Sequence, residues 1–283
     1  MSSPSFSVVM CSIDAWKFAQ ASTLYDNLLA GVPHEIIGIH DAPSLAEGYN
    51  RGLARAEGDL LIFSHDDVLI LDSAFAEKLT HRMQHYDLLG FAGTTRCIHP
   101  LWFAAGWPCL RGAVAHPASD APRNLLFNLY GASGWPVSDG IEAIDGLCMI
   151  VRREAAQAVG FDARVFDGWH LYDLDFSFAL FRAGYKLGVC CDIPLIHASS
   201  GNFDAAHLHY AERFTHKYAQ YMQPDLSPKL RPEGASACFS GMRALLAHWN
   251  ESTLCRADLA LQRQFAPAHP ANPVNPAPLP GCD

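Results

Sequence analysis

The chain has 283 residues, 50% of them hydrophobic and 17% charged, with a formal net charge of −9. That length suits one large domain, or a domain with an appendage. The acidic balance excludes a protein that grips nucleic acid through a basic face. No run of about 18 uncharged apolar residues offers a membrane-spanning helix.

The N-terminal stretch MSSPSFSVVMCSIDAW has no basic region followed by a long apolar core, which speaks against a secretory leader. The nine cysteines are odd in number, show no CxxC spacing, and several lie in apolar runs such as LCMIV and GVCC. Buried reduced thiols in a cytoplasmic protein are the expectation.

In chain order, Phe6–Cys11 and His34–Ile39 are short apolar runs that predict strands, with room for a helix from Trp16 to Leu29 between them. Ser44 opens a better helix: Ser44-x-x-Glu47 fits a capping box, and Leu45, Tyr49 and Leu53 recur every four residues. Gly58 suits its stop. Leu60–Phe63 predicts a third strand. Asp72 or Ser73 is placed to cap a helix carrying Phe75, Leu79 and Met83, and Leu88–Ala92 predicts a fourth strand. Strand–helix alternation with short connections predicts a doubly wound, mostly parallel α/β sheet.

Residues 94–140 are rich in Pro, Gly and Trp and repeat Gly-Trp-Pro, so a partly ordered inserted lid at the sheet edge is expected. Beyond it come a strand over Leu147–Val151, helices over Glu154–Val159 and Tyr172–Ala183 closed by Gly160 and Gly184, and a strand over Leu187–Cys191. A helix over Ala205–Met222 ends the expected 1–222 domain. Residues 223–265 read as a helical appendage. The 266–283 tail, with Pro267, Pro270, Pro273 and Pro276, suits an extended or disordered end.

In open α/β sheets ligands sit beyond the carboxyl ends of the parallel strands. Four clusters fall there: Cys11-Ser12-Ile13-Asp14, His40-Asp41, His65-Asp66-Asp67, and His197. Two adjacent carboxylates repel one another unless solvent or a cation compensates them. Each cluster has a plainer reading as a capped turn or a structural histidine. Their convergence on one rim is what argues for a site.

The segments CSID (11–14), SLAEGYNRGLARAEGDLLIFSHDDV (44–68) and above all FDGWHLYDLDFSFALFRAGYK (166–186) resemble the GT-A glycosyltransferases, specifically the family-two-like group. The likeness spans roughly residues 6–200. The resemblance implies a nucleoside-diphosphate sugar donor held through Mn²⁺ or Mg²⁺, and a glycan, lipid-linked or protein acceptor. It implies Asp67 as metal ligand, Asp66 assisting through water, and His197 as a further ligand. Asp173 matches the family's general base. Ser12, Asp41, Asn50, Arg51, His65 and Asp66 are implied around the nucleotide-sugar, with His65 positional. Asp145, Gly146, Trp169 and Tyr172 are implied on the acceptor side, Tyr172 standing where the family has Glu. Asp175 is expected to pair with Arg182 or to cap its helix.

The metal turn begins with His65 where the family has Asp, and the first loop reads CSID. Two rivals stand beside the transferase: a nucleotidyltransferase, disfavoured because CSIDAWKF lacks a Gly-rich basic loop, and a degenerate sugar- or partner-binding module.

Overall fold

The computed structural model describes residues 3–118, 124–131, 134–199, 203–223 and 235–254. Its main sheet has seven strands: β2 (His34–Ile39), β1 (Phe6–Cys11), β3 (Leu60–Ser64), β11 (Cys148–Arg152), β5 (Leu88–Gly90), β12 (Leu187–Cys190) and β9 (Val137–Ile141), in that order. β1 pairs parallel with β2 and β3, β12 pairs parallel with β5, and β11 and β9 run antiparallel to their neighbours. Val8, Val9, Met10, Leu61, Ile62 and Phe63 are fully buried. Both faces of these central strands are covered, which is why they read as unbroken apolar runs rather than alternating ones.

A second sheet orders β10 (Ala143–Ile144), β6 (Ala92–Thr94), β7 (Leu110–Pro117), β13 (Leu195–His197) and β4 (Val68–Ile70), with β8 (Leu125–Gly131) pairing β7 and β14 (Ala235–Phe239) pairing β8. Leu88–Ala92, expected as one strand, breaks at Phe91 and feeds both sheets. The 94–140 stretch, expected as a partly ordered lid, supplies three strands. Among the described residues, Gly106 and Pro108 fall in the connection that leads into β7, and Gly134 in the one that leads into β9. Residues 223–265, expected as helical, contain a strand as well as a helix; residues 255–265 and the 266–283 tail lie outside the described residues.

The helices are α1 (Ala15–Leu28), α2 (Leu45–Arg55), α3 (Phe75–Arg82), α4 (Arg153–Val159), α5 (Tyr172–Arg182), α6 (Ala205–Lys217) and α7 (Met242–Leu254). Ser44 caps α2, its Oγ accepting from Glu47 N at 3.1 Å. The reciprocal half of the capping box is absent, because the Glu47 carboxylate turns to Arg51 at 3.0 Å. Asp72 accepts from Ala74 N and pairs with Lys78, so it braces the approach to α3 instead of capping its first residue. Tyr49 of α2 packs against Phe63, Phe161 and Tyr172, with ring centroids 4.9, 5.4 and 5.6 Å away. That cluster locks α2, β3 and the start of α5 into one body.

Asp175 pairs with Lys217 of α6 at 2.7 Å and accepts from the Tyr218 hydroxyl at 2.8 Å. The expected partner, Arg182, instead lies over the Tyr221 ring at 4.3 Å. Asp175 is 1% exposed, and a carboxylate so deep needs a cation from a neighbouring element, not a surface residue one face away. Cys11, Cys97, Cys148, Cys190, Cys191 and Cys238 are free thiols, but Cys109 is disulfide-bonded, which corrects the expectation of reduced cysteines throughout. Among the described residues no helix is long and apolar enough to cross a membrane.

Candidate active site

Two strand pairings build the site. β11 runs antiparallel to β3, and His65 N bonds to Leu147 O at 3.0 Å, so the turn after β3 lies beside Asp145-Gly146-Leu147. β13 runs antiparallel to β4 with His197 opposite Val68, which delivers the His197 ring to Asp67. Asp67 and His197, far apart in the chain, therefore meet through register alone.

His197 Nε2 lies 3.2 Å from Asp67 Oδ1, 3.2 Å from His65 Nδ1 and 3.0 Å from Ser199 Oγ. His65, Asp67 and His197 each offer one ligand atom, all within 4.8 Å of one another, a group that could hold a metal ion. Burial pulls the His65 imidazolium down to about 4, and His197 adds to it. His65 thus presents a neutral ring at neutral pH, the form that ligates a metal. Burial alone would raise the Asp67 carboxyl, but the His197 hydrogen bond and the charges of His197 and His65 outweigh it and hold it well below the usual carboxylate range.

The other nitrogen of His65, Nε2, lies 2.7 Å from Tyr172 Oη. When that nitrogen carries the proton and donates it to Tyr172, the Nδ1 lone pair faces the group. His65 was expected to be positional; the structure sets it among the candidate ligands, with Tyr172 as its support. Asp66 does not join the group. Its Oδ2 accepts from Ser12 Oγ at 2.5 Å, because neighbouring side chains in the turn diverge, one toward β13 and the other toward β1.

Most of the residues expected around the nucleotide gather at the ends of β1 and β2. His40 Nδ1 lies 2.8 Å from Ser12 O, and exposed Asp41 meets Arg51 at 2.9 Å. Hydrogen bonding to Arg51, with its charge, keeps Asp41 below its ordinary pKa. Asn50 is placed elsewhere: its amide donates to Phe161 O at 2.8 Å and accepts from Phe161 N at 3.0 Å, stapling α2 to the loop after α4.

Across the cavity stands the start of α5. Leu171 adopts a left-handed backbone (φ 61, ψ 3), a conformation that costs a non-glycine residue about 1–2 kcal/mol. That kink turns the Trp169-His170-Leu171 segment sharply into the helix and sets Asp173 at the cavity wall. Asp173 Oδ2 accepts from Gly146 N at 2.7 Å. A Cβ on Gly146 would stand 2.4 Å from Asp173 Cβ, so only glycine admits this approach. Burial, then Asp145 beside it, push the Asp173 carboxyl up to about 7, against backbone hydrogen bonds from Leu174 and Gly146 that favour its charge. Asp145 accepts from Trp102 Nε1 at 3.0 Å and from Leu147 N at 3.2 Å.

His65, His197, Tyr172, Asp173, Asp145 and Gly146 all line one cavity of 650 Å³, with Trp169 at its wall and 51% exposed. Sequence reasoning missed His116, whose Nδ1 lies 3.0 Å from His197 O, and Trp102. Nothing short of the paired strands would have found them.

Acids and histidines gathered beyond the carboxyl ends of the strands of a mixed sheet stand where open α/β folds place their ligands. Residues 7–219 match the model of a family described as glycosyltransferase like family, and the chain belongs to it. No curated protein matches it in sequence. Among solved structures, the mannosyltransferase PcManGT from Pyrobaculum calidifontis, in complex with GDP-Man and Mn²⁺, is 12% identical with a TM-score of 0.46, over 95% of this chain and 77% of its own. GalNAc-T7 with UDP, GalNAc and Mn²⁺ is 11% identical with a TM-score of 0.43, over 70% of this chain and 44% of its own.

Proposed function

We propose that this chain is a metal-dependent, inverting glycosyltransferase that moves a hexosyl group from a nucleoside-diphosphate sugar to an acceptor hydroxyl. The observation that carries the reading is that Asp173 lines one cavity with His65 and His197, two members of the His65–Asp67–His197 group. A leaving diphosphate and a nucleophile need opposite chemistry, negative charge absorbed on one side and a proton accepted on the other.

His65, Asp67 and His197 would hold the metal, and a mixed imidazole–carboxylate donor set favours Mn²⁺ over Mg²⁺, which prefers an octahedron of oxygens. Bound there, a divalent cation neutralises charge on the departing diphosphate. Ser12, Asp66, Asp41 and Arg51 border the nucleoside side. Asp173 takes the proton from the acceptor hydroxyl as its oxygen bonds to the anomeric carbon and the bond from that carbon to the diphosphate breaks. A carboxyl with its pKa near neutrality suits that task, since a base works best when its pKa lies close to the working pH. Trp169 and the Asp145–Gly146 turn border the acceptor.

The test is a thermal-shift series of nucleoside diphosphates with and without Mn²⁺, on the wild-type chain and on Asp67→Ala. A metal-dependent rise with one nucleotide, lost in Asp67→Ala, is expected. No metal-dependent rise with any nucleotide would sink the catalytic reading and leave a sugar-binding module.

A further inference from the structure

The cavity's electrostatics narrow the acceptor. Among the described residues lining it there is no Lys or Arg. Its acids, Asp145 and Asp173, stand side by side. His207, another lining residue, is drawn down to about 4 by burial and so adds no positive charge at neutral pH. The chain sets arginines at a cavity elsewhere: one of 610 Å³ is lined by Arg82 and Arg111 together with Asp139. The cavity with the candidate base has none among the described residues.

Its walls are aromatic. The Trp102 ring meets Tyr130 edge-on at 4.9 Å, Phe203 is 56% exposed and packs on Phe103 at 5.6 Å, and Trp169 is 51% exposed. Such faces take up the C–H side of a saturated ring, while carboxylates accept hydrogen bonds from its hydroxyls. A phosphate or carboxylate on the acceptor would bring a further anion against Asp145 and Asp173 with no lining Lys or Arg to offset it, the charge of a metal at His65, Asp67 and His197 being taken up by Asp67 and the leaving diphosphate.

We propose that the acceptor presents an uncharged sugar ring to this cavity, stacked on the exposed Trp169 and Phe203 walls with a hydroxyl toward Asp173, and that phosphate-bearing carriers and acidic sugars are rejected. The inference rests on the transferase reading.

Labelled full-length chain, held metal-free in EDTA so that only the lining residues are read, would be applied to an array of neutral, phosphorylated and uronic- or sialic-acid glycans. Binding to neutral members is expected, with acidic counterparts at least roughly tenfold weaker. Trp169→Ala should lower the neutral signal by about fivefold with its circular dichroism spectrum unchanged. Equal or preferred binding of acidic members, or no binding of any neutral glycan, would overturn the inference. The readout needs no turnover: acidic glycans bound by a chain that still shows a Mn²⁺-dependent nucleotide shift would discard the acceptor class and keep the transferase. Neutral glycans bound by a chain with no such shift would do the reverse.

Discussion

Replacing Asp173 with Asn separates the cost of preparing a base from its use. In the fold the carboxyl rises from an ordinary value of 3.8 to about 7, through burial and then Asp145. Each pH unit between the two corresponds to about 1.4 kcal/mol, so the ionised folded form is disfavoured by up to roughly 4 kcal/mol. The folded state binds the proton more tightly than the unfolded one. Its advantage is complete below the unfolded pKa and is lost as pH rises through about 7. Asparagine still accepts from Gly146 N but has no charge to bury. Asp173→Asn should therefore gain stability over wild type as pH rises, by roughly 2–3 kcal/mol between pH 5 and pH 8. Urea denaturation of both proteins in EDTA at the two pH values reads this directly. Transfer should vanish in the variant while nucleotide binding persists, and wild-type transfer should rise with pH through neutrality as Asp173 ionises. A stability gap that does not grow with pH, or full turnover by the variant, would refute the reasoning.

Gly146→Ala places a Cβ 2.4 Å from Asp173 Cβ. It should displace the base and lower kcat by about a hundredfold, with a smaller change in KM, as expected when reacting groups are misplaced by about 1 Å. Tyr172→Phe removes the hydroxyl at His65 Nε2 and should weaken Mn²⁺ binding roughly tenfold by calorimetry, with the fold intact; unchanged affinity would deny Tyr172 that supporting role. Lys217→Met strips the cation from buried Asp175 and should cost about 3 kcal/mol in urea denaturation.

Local features were legible where their causes are local. Phe6–Cys11 is a strand over the expected residues because a central strand needs continuous apolar faces, and His34–Ile39, at the sheet edge, pairs in register beside it. Ser44 and the Leu45–Tyr49–Leu53 stripe give α2 because capping and amphipathic spacing act within one or two turns. The Tyr172-Asp173-Leu174-Asp175 segment opens α5 as expected, with Asp173 and Asp175 facing different ways. The strand break at Phe91, the strands within 94–140 and the role of β4 were not legible. Three-residue strands carry no period of their own, and pairing depends on distant partners.

The sequence by itself determined an α/β chain that carries its acids and histidines to strand ends, since hydrophobic period and capping chemistry are written in neighbouring residues. Only the tertiary structure decided which of those side chains meet. The β13–β4 register brings His197 to Asp67, the turn after β3 sends Asp66 to Ser12 and leaves His65 facing His197, and Asn50 is spent on Phe161. Those choices depend on register and on close approaches such as Asp173 against Gly146, where displacements of an ångström or two between residues far apart in the chain select the partner.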